Sequence, residues 1–432
     1  MRSYPEKKHS YSAVAILTLA QVFAFIDRQI PSMLVEPIKQ DFNLTDSQIA
    51  LLGGAAFSIF YAVMALPIGY AVDRYQRTKV LGIGIFLWSL MTALAGLTNS
   101  FGKLFGARIG VAVGEAVMAP TSVSLISDSF PENKQGKPMG IITSGVYIGI
   151  GITLLGGGFL IDYLTEIGGI NLPLIGYLKP WQATFMIVGI PGLILALAAF
   201  ILKEPKRIEE ASLDKVIDRK NIFLHLKEHK KTLIPMFGGL IFMALIFYSF
   251  SFWAPTMMIR AFNISLSEVG LILGVITIVS SIIGTILAGT AVDYLRDKNY
   301  SDAPVRAAMI AVMLAVPPIV MLSFVSSEIG AWICIALYLL FISSFAPLGL
   351  LAISGVSTGS VKGQAAAIHA FLMMAFGLSL GPQLTAFFTD YIFADPNLLI
   401  NSISLSGLIV LPISALLFKI SLPRYRESSQ KI

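Results

Sequence analysis

The sequence has little charge and almost no cysteine. Of its 432 residues only 13% are Asp, Glu, Lys or Arg, about half the fraction of a typical soluble domain. Hydrophobic residues make up 56%, and the mean hydropathy is +0.78. The single cysteine, Cys334, excludes an internal disulfide. This composition argues against an ordinary soluble protein and favours one that lies in a membrane.

Motifs for bound cofactors are also lacking. No Gly-Lys pair is followed by Ser or Thr, so the phosphate-cradling ATP loop is absent and any process that needs energy must draw on an ion gradient. His225-Leu-Lys-Glu-His229 spells an inverted zinc-protease motif. It lies in a charged segment with no evident third ligand. We therefore expect no metal, no cofactor and no enzyme, and a membrane-embedded zinc hydrolase on these two histidines is the weaker alternative.

Long apolar runs recur along the whole chain. Each is long enough to cross a hydrocarbon core of about 30 Å as a helix. We predict twelve spans, near 13–34, 49–72, 79–98, 102–127, 138–161, 183–202, 233–253, 268–290, 305–325, 329–350, 363–389 and 397–420. The expected fold class is therefore an all-α membrane protein.

An internal repeat divides these spans into two sets of six. Phe42-Asn43-Leu44-Thr45 returns 220 positions later as Phe262-Asn263-Ile264-Ser265, and Gly69–Asp73 returns in the same register as Gly289–Asp293. Parallel copies each hold an even number of spans, an architecture of secondary transporters. We predict bundles over residues 1–202 and 232–432, joined by a cytoplasmic linker over 203–231 with a short amphipathic helix.

Basic residues concentrate on one side of the predicted spans. The opposite loops hold only Lys39, Lys179 and Arg260. The positive-inside rule then places both termini in the cytoplasm. We expect a monomer in the inner membrane of a bacterial cell, in contact with lipids. The same charge distribution accounts for the net charge of +6, so we expect no binding to nucleic acid. The basic residues of this side are Arg2, Lys7, Lys8, Arg74, Arg77, Lys79, Lys134, Lys137, those between 203 and 231, Arg296, Lys298, Arg306, Lys362, Arg424 and Arg426.

Four charged residues interrupt apolar spans: Asp27 and Arg28 in span one, Arg108 and Glu115 in span four. Ionised groups at such depth cost about 2.5–3.5 kcal/mol each, so they normally face partners and a watery path. Comparable depths predict a contact between Asp27 and Arg108, with Glu115 nearer the midplane. The alternatives are a role in binding substrate and protons, or a buried ion network that only fixes helix packing.

The second copy lacks these charges, because Asp27 and Arg28 correspond to Phe247 and Tyr248. A central cavity would then have a charged wall and an aromatic wall that includes Tyr248, which suits an amphipathic solute. The other interpretation is that these aromatics face lipid or neighbouring helices. His369 is either a proton or substrate contact or an interior histidine with satisfied hydrogen bonds. The aromatic residues of the expected wall are Phe242, Phe247, Tyr248, Phe250 and Trp253.

The pattern Gly69-x-x-x-Asp73-Arg74-x-x-Arg77 links spans two and three. It resembles the loop signature of the major facilitator superfamily, with Gly289…Asp293…Arg296 as a degenerate second copy. We interpret Gly69, Asp73, Arg74, Arg77, Asp293 and Arg296 as gating residues. A glycine there would let helices approach closely, and the carboxylate would hold arginines or a helix N-terminus.

Within that superfamily, residues 25–130 are most similar to the Spinster family. The matching strings begin with Phe25-Ile-Asp-Arg28 and Gly69–Arg77, followed by Trp88-Ser-Leu90, Arg108-Ile-Gly-Val-Ala-Val-Gly-Glu-Ala116, Ala119-Pro120 and Asp128-Ser-Phe130. Family members tend to carry arginine in the loop after span four, where this chain has Lys134 and Lys137. The resemblance implies a proton-coupled or facilitative carrier of lysophospholipids or sphingoid phosphates. It also implies that Asp27, Arg28, Arg108 and Glu115 line the cavity and govern coupling.

We therefore expect a secondary transporter that works by alternating access and is driven by protons. Asp27 or Glu115 would take up the proton, and Arg28 and Arg108, with Glu115 and Tyr248, would bind an amphipathic anionic or zwitterionic solute such as a lysophospholipid or sphingoid phosphate. The alternatives are a proton symporter for a small organic anion, such as a sugar acid or aromatic acid, and an exporter of amphipathic drugs.

Overall fold

Helices form most of the chain in this computed structural model, which describes residues 4–131, 134–173, 175–207, 219–357 and 359–429. The first half holds α1 (Lys7–Met33), α2 (Val35–Phe42), α3 (Asp46–Gly53), α4 (Ala55–Arg74), α5 (Arg77–Ala95), α6 (Phe101–Glu115), α7 (Met118–Ser129), α8 (Gly136–Glu166) and α9 (Pro180–Ile201). The second half holds α10 (Arg219–Glu228), α11 (Lys230–Phe262), α12 (Leu266–Asp297), α13 (Ala303–Met321), α14 (Glu328–Ile342), α15 (Phe345–Ser354), α16 (Gly359–Leu372), α17 (Ser379–Phe387) and α18 (Leu399–Ser429).

Among the described residues, twelve helical stretches are long and apolar enough to cross a membrane, which confirms the predicted fold class. Several spans are interrupted. Helices α3 and α4 together form the second span, α6 and α7 the fourth, and α14 and α15 the tenth. The eleventh span contains two π-helical segments, Met373–Leu378 and Phe388–Phe393. Such bulges are frequent at functional sites, and the sequence did not predict them.

A short hairpin follows the fifth span. Strands β1 (Ile170–Leu172) and β2 (Gly176–Leu178) pair antiparallel, with Ile170 opposite Leu178. Gly169, just before β1, and Gly176, the first residue of β2, adopt positive φ. Glycine reaches this conformation without strain. The predicted spans leave residues 162–182 as a connection between the fifth and the sixth, and strands of three residues carry no clear alternation that would predict the hairpin.

The repeat is visible in the backbone. Asn43 ends α2 with φ 51° and ψ 54°, and Asn263 ends α11 with φ 54° and ψ 41°. Asparagine is among the few residues that tolerate this left-handed region. Thr45 then accepts a hydrogen bond from the Gln48 N–H, and Ser265 accepts one from the Glu268 N–H. Each copy thus uses the same device to stop one helix and start the next.

The chain divides into two compact units. The first runs from the N-terminal helix through α9 and also includes Ile264–Gly274, and the second comprises α10, α11 to Asn263, and everything from Val275 onward. Although Ile264–Gly274 lies within the predicted second bundle, it packs on α8. A Cβ added to Gly270 would lie 2.2 Å from the Leu154 carbonyl oxygen, and the Asp162 carboxylate accepts a 2.9 Å hydrogen bond from the Ser267 N–H.

Candidate functional site

An ion pair joins spans one and four inside the first unit. The Arg28 guanidinium donates to Glu115 Oε2 through Nη2 at 2.5 Å and through Nε at 3.2 Å. A charge-assisted contact of this kind is stronger than a neutral hydrogen bond. The sequence singled out both residues but predicted no bond between them. Span one therefore presents Arg28, rather than Asp27, to the carboxylate of span four.

Arg108 lies beside the same helix as this pair. Its Nη1 donates a 3.0 Å hydrogen bond to the backbone carbonyl of Asp27. The predicted contact between the two residues is therefore present, but it uses the Asp27 main chain and not its carboxylate. Among the described residues, Asp27 Oδ1, Glu115 Oε1 and both Nε and Nη2 of Arg108 have no hydrogen-bond partner. Buried polar atoms are rarely left in this state, so the cluster holds unused donors and acceptors.

Aromatic rings surround the Arg28 guanidinium. Its carbon lies 4.5 Å from the centre of the Phe25 ring, 4.6 Å from that of Phe57 and 5.5 Å from that of Tyr61. The Arg108 guanidinium carbon lies 5.8 Å from the same Phe57 ring. Two cations thus lie near one aromatic ring, which attracts each of them. Phe57 and Tyr61 were missed because an aromatic residue in an apolar span carries no signal of its own.

Breaks in two spans position these side chains. Glu115 is the last residue of α6, where span four bends before α7 begins at Met118. In span two, Gly54 separates α3 from α4, and Phe57 follows in the first turn of α4. A Cβ on Gly114 would lie 2.6 Å from the Trp88 backbone nitrogen, so glycine lets α6 approach α5 closely just before the break.

The cluster is mostly enclosed within the first unit. Asp27, Arg108 and Glu115 have relative exposures of 2%, 1% and 0%. Only Arg28 reaches the surface of the unit, with 17% of its side chain exposed. The expectation that all four side chains border water is therefore wrong for this conformation. Because the formal charges of two carboxylates and two guanidinium groups cancel, the cluster is neutral as a set.

The aromatic residues of the wall predicted in the second unit differ in burial. Trp253 and Phe250 are buried in the interior, and the Trp253 indole donates a 2.9 Å hydrogen bond to the Pro382 carbonyl. Phe247 and Tyr248 are half-buried and pack against Phe345, with ring centres 4.9 Å and 6.1 Å away. The interpretation that these aromatic residues pack among neighbouring helices therefore fits Phe250 and Trp253.

His369 lies in the interior of the second unit. It is buried, stacks on Phe237 with ring centres 6.3 Å apart, and would be touched by a Cβ on Gly349. Its Nδ1 has no hydrogen-bond partner within the part of the chain that the structure describes. The interpretation of a fully satisfied interior histidine is thus not supported.

The predicted gating loop of the first unit is organised by Arg77. This residue is fully buried at the start of α5 and contacts the Asp128 carboxylate. It also donates through Nε to Glu204 at 3.0 Å. Glu204 in turn accepts hydrogen bonds from the N–H groups of Arg77 and Thr78. The residues after α9 therefore hold the N-terminus of α5, where an anion is favoured.

This arrangement changes the ionisation of Glu204. Partial burial acts to raise its pKa, but the N–H groups of Thr78 and Arg77 and the Arg77 guanidinium outweigh burial, so the pKa of Glu204 lies below its ordinary value. The carboxylate is thus ionised at neutral pH and caps the helix as a charge.

The other charged residues that the sequence predicts to act in gating are exposed. Asp73 and Arg74 lie on the surface of the first unit, where Arg207 donates to the carbonyl of Asp73. Asp293 and Arg296 are exposed in the second. A Cβ on Gly69 would have no neighbour within 4 Å among the described residues, and the same holds for Gly289. The close helix contact expected at Gly69 is therefore not found.

The described residues include no group of three or more His, Cys, Asp or Glu that could hold a metal ion. His225 and His229 instead lie side by side, with ring centres 4.6 Å apart, and each ring shares a hydrogen bond with a serine.

Twelve spans in a duplicated arrangement, with a buried charged cluster in the first copy, define an integral multi-pass membrane transporter. The family model of the Major Facilitator Superfamily matches residues 17–424, and the chain belongs to that superfamily. It is therefore a transporter of small-molecule substrates and not an enzyme.

Several known proteins are similar to this chain. An MFS-type efflux pump of Mycolicibacterium smegmatis is 26% identical over 90% of this chain and 86% of its own length. The hexuronate transporter of Bacillus subtilis is 25% identical, with 89% of each chain covered. The sphingosine-1-phosphate transporter SPNS2 of Danio rerio is 26% identical over 75% of this chain and 65% of its own length.

A solved structure gives the same picture of the fold. The inward-facing, unoccupied crystal structure of a bacterial homolog of the human lysosomal transporter Spinster has a TM-score of 0.81 and 23% identity, covering 99% of this chain and 98% of that one. The predicted resemblance to the Spinster family is confirmed.

Proposed function

We propose that the chain is a proton-coupled secondary transporter of an anionic or zwitterionic amphipathic solute, working by alternating access between its two units. The observation that carries this proposal is the Arg28–Glu115 ion pair, 2.5 Å long, next to an Arg108 with two unused donor nitrogens. The Arg28 guanidinium is bound to the Glu115 carboxylate, which a proton can neutralise. Arg108 keeps two nitrogens that can donate hydrogen bonds to a substrate.

Protonation of Glu115 would remove one negative charge from a cluster whose charges cancel. The Arg28 guanidinium, which is partly exposed, would then be held less tightly and could bind an anionic group together with Arg108. Asp27 is the second candidate for the proton, because its carboxylate is buried and Oδ1 is unpaired among the described residues. Each ligand favours the state that the other also favours, which is the requirement for coupling.

An amphipathic solute is supported by two features. The half-buried rings of Phe25 and Tyr61 beside the Arg28 guanidinium offer an apolar contact for a hydrocarbon tail. SPNS2 of Danio rerio, a sphingosine-1-phosphate transporter, is among the similar proteins. A lysophospholipid or sphingoid phosphate would place its phosphate on the arginines.

The second candidate is a small hydroxylated organic acid. The cluster has unused acceptors, Asp27 Oδ1 and Glu115 Oε1, as well as unused donors on Arg108. A sugar acid would match both, because its carboxylate accepts from arginine and its hydroxyls donate to the carboxylates. The printed name of the hexuronate transporter supports this alternative, and that of the efflux pump supports export of amphipathic compounds.

We further propose that Gly69, Asp73, Arg74 and Arg77 act in gating with Asp293 and Arg296. We also propose that both termini are cytoplasmic and that the protein is a monomer in the bacterial inner membrane. Arg77 has the best-defined role, because its contacts with Asp128 and Glu204 join three spans of the first unit at one end.

Flux into proteoliposomes tests both the coupling and the cargo. Lysolipids, sugar acids and aromatic acids are offered one at a time, with and without a pH gradient. We expect gradient-driven flux of a lysolipid that becomes insensitive to pH in Glu115→Gln, with Asp27→Asn as the parallel variant. Proton dependence that is unchanged in both variants would remove both carboxylates from coupling, and flux of sugar acids alone would favour the second candidate.

A further inference from the structure

Two histidines of the segment that joins the units lie in contact on one face of the second unit. His225 is in α10 and His229 immediately precedes α11, one helical turn apart. Their ring centres are 4.6 Å apart and the rings are tilted by 41°. Imidazole is the side chain whose charge changes closest to physiological pH. Two rings at this distance are compatible when neutral and repel each other when both are protonated.

Each ring is tied to a different part of the second unit. His225 Nε2 shares a 3.2 Å hydrogen bond with Ser357 Oγ, just after α15. His229 Nδ1 shares one of 3.2 Å with Ser428 Oγ near the end of α18, and the same hydroxyl lies 3.0 Å from Thr232 Oγ1. Helix α10 also packs against α16. The pair therefore docks α10 onto the ends of the tenth, eleventh and twelfth spans.

The surroundings offer little to hold a second positive charge. Burial and the neighbouring His229 both lower the pKa of His225, and Glu228 on the same helix offsets this only in part. Among described side chains, the partners from the other elements are the uncharged hydroxyls of Ser357 and Ser428. Glu427 and Arg424 pair with each other on the exposed surface of α18.

We propose that the His225–His229 pair is a pH-sensitive latch, which holds α10 docked when both rings are neutral and releases it when the pH on that side falls. Because docked His225 binds protons less readily than a free histidine, docking is complete above the ordinary histidine value of about 6.5 and weakens as the pH falls below it. Release would free Ser357 and Ser428 and loosen the ends of three spans at once. The latch acts independently of which substrate is carried and of whether Asp27 or Glu115 binds the proton.

Spin labelling of the full chain in lipid nanodiscs tests the latch. Cys334 is first replaced by serine, and a nitroxide is attached at Lys227→Cys, an exposed position of α10. Between pH 7.5 and pH 5.0 we expect the mobile fraction of its spectrum to rise at least threefold, with a midpoint below about 6.5. In His225→Gln/His229→Gln, which keeps hydrogen-bonding groups but cannot be charged, the spectrum should not change over this range.

A nitroxide at Lys419→Cys, exposed on α18, serves as the matched control and should stay unchanged. Three outcomes would overturn the proposal: no change at Lys227→Cys down to pH 5.0, the same transition in the double variant, or a parallel change at Lys419→Cys that reports loosening of the whole unit.

Discussion

Phe57 contacts both arginines of the charged cluster. Its ring centre lies 4.6 Å from the Arg28 guanidinium carbon and 5.8 Å from that of Arg108, and the side chain is fully buried. Each contact of this type contributes about 0.5–2 kcal/mol, with the larger values where water is excluded. The ring therefore offsets part of the repulsion between two cations that an apolar environment would otherwise strengthen.

Replacing this ring by an aliphatic side chain should cost more than the loss of packing alone. We expect Phe57→Leu to lower the free energy of unfolding by about 1 kcal/mol more than Phe185→Leu. Phe185 is an equally buried phenylalanine of α9 that packs edge-to-face against Trp181. Thermal unfolding of both variants in detergent measures the difference. Equal losses would mean that Phe57 acts only as packing.

At the same scale, the sequence predicted which residues carry charge into the membrane but not how they pair. Depth along each helix placed Asp27 near Arg108 correctly, because depth follows from counting residues at a fixed rise. It missed the Arg28–Glu115 bond because pairing depends on which way each helix is turned. That rotation is set by contacts with other helices.

At the scale of elements, glycines decide how closely α8 approaches α1. A Cβ on Gly149 would lie 2.5 Å from the Val22 carbonyl oxygen and 2.8 Å from the Phe25 Cβ. One on Gly156 in the same helix would meet no atom of a described residue within 4 Å. Phe25 is one of the three aromatic residues whose rings surround the Arg28 guanidinium. Small residues at such positions let helix backbones touch.

These two glycines give a matched test. We expect Gly149→Ala to destabilise the protein by about 1–3 kcal/mol, because overpacking forces backbone shifts, and to weaken transport by moving Phe25 and Arg28. Gly156→Ala should leave both properties nearly unchanged. Unfolding and flux of the two variants are compared side by side. A similar tolerance at both positions would contradict the close contact between α1 and α8.

Sequence patterns predicted elements unevenly. The apolar runs located every span, since length and hydropathy alone decide whether a helix can cross the bilayer. They did not reveal that spans two, four and ten are broken or that span eleven contains π-helical turns. Such breaks leave hydropathy unchanged, because they arise where neighbouring helices satisfy the freed backbone groups.

At the scale of the whole molecule, each of the two units uses an ion pair to hold the start of one span to the end of another. In the first, Arg77 at the start of the third span is held by Glu204 after the sixth. In the second, Asp302 at the start of the ninth span is held by Arg426 near the end of the twelfth, at 2.6 Å, and by Arg306. In both units an ion pair thus joins the start of the third span of the copy to the end of its sixth, with the signs of the two partners reversed.

The even number of spans predicts that both termini lie on one side. In a Cys334→Ser background, we expect Ser12→Cys near the start of α1 and Ser429→Cys at the end of α18 to react with a membrane-impermeant maleimide only in inside-out vesicles. The positive-inside rule places both positions on the cytoplasmic side of the membrane, where Lys and Arg are concentrated. A cysteine at Tyr177 in the hairpin, which is exposed, should react from the opposite side. Labelling of the two termini from different sides would contradict the twelve-span arrangement.

Taken alone, the sequence determined the membrane environment, the twelve spans, the duplication and the four charges of the first copy. These follow from the cost of placing polar groups in hydrocarbon, which acts on each segment separately. Only the tertiary structure decided that Arg28 binds Glu115, that Phe57 serves both arginines and that the two linker histidines meet. Those contacts join residues far apart in the chain, and their geometry depends on how whole helices rotate and pack against one another.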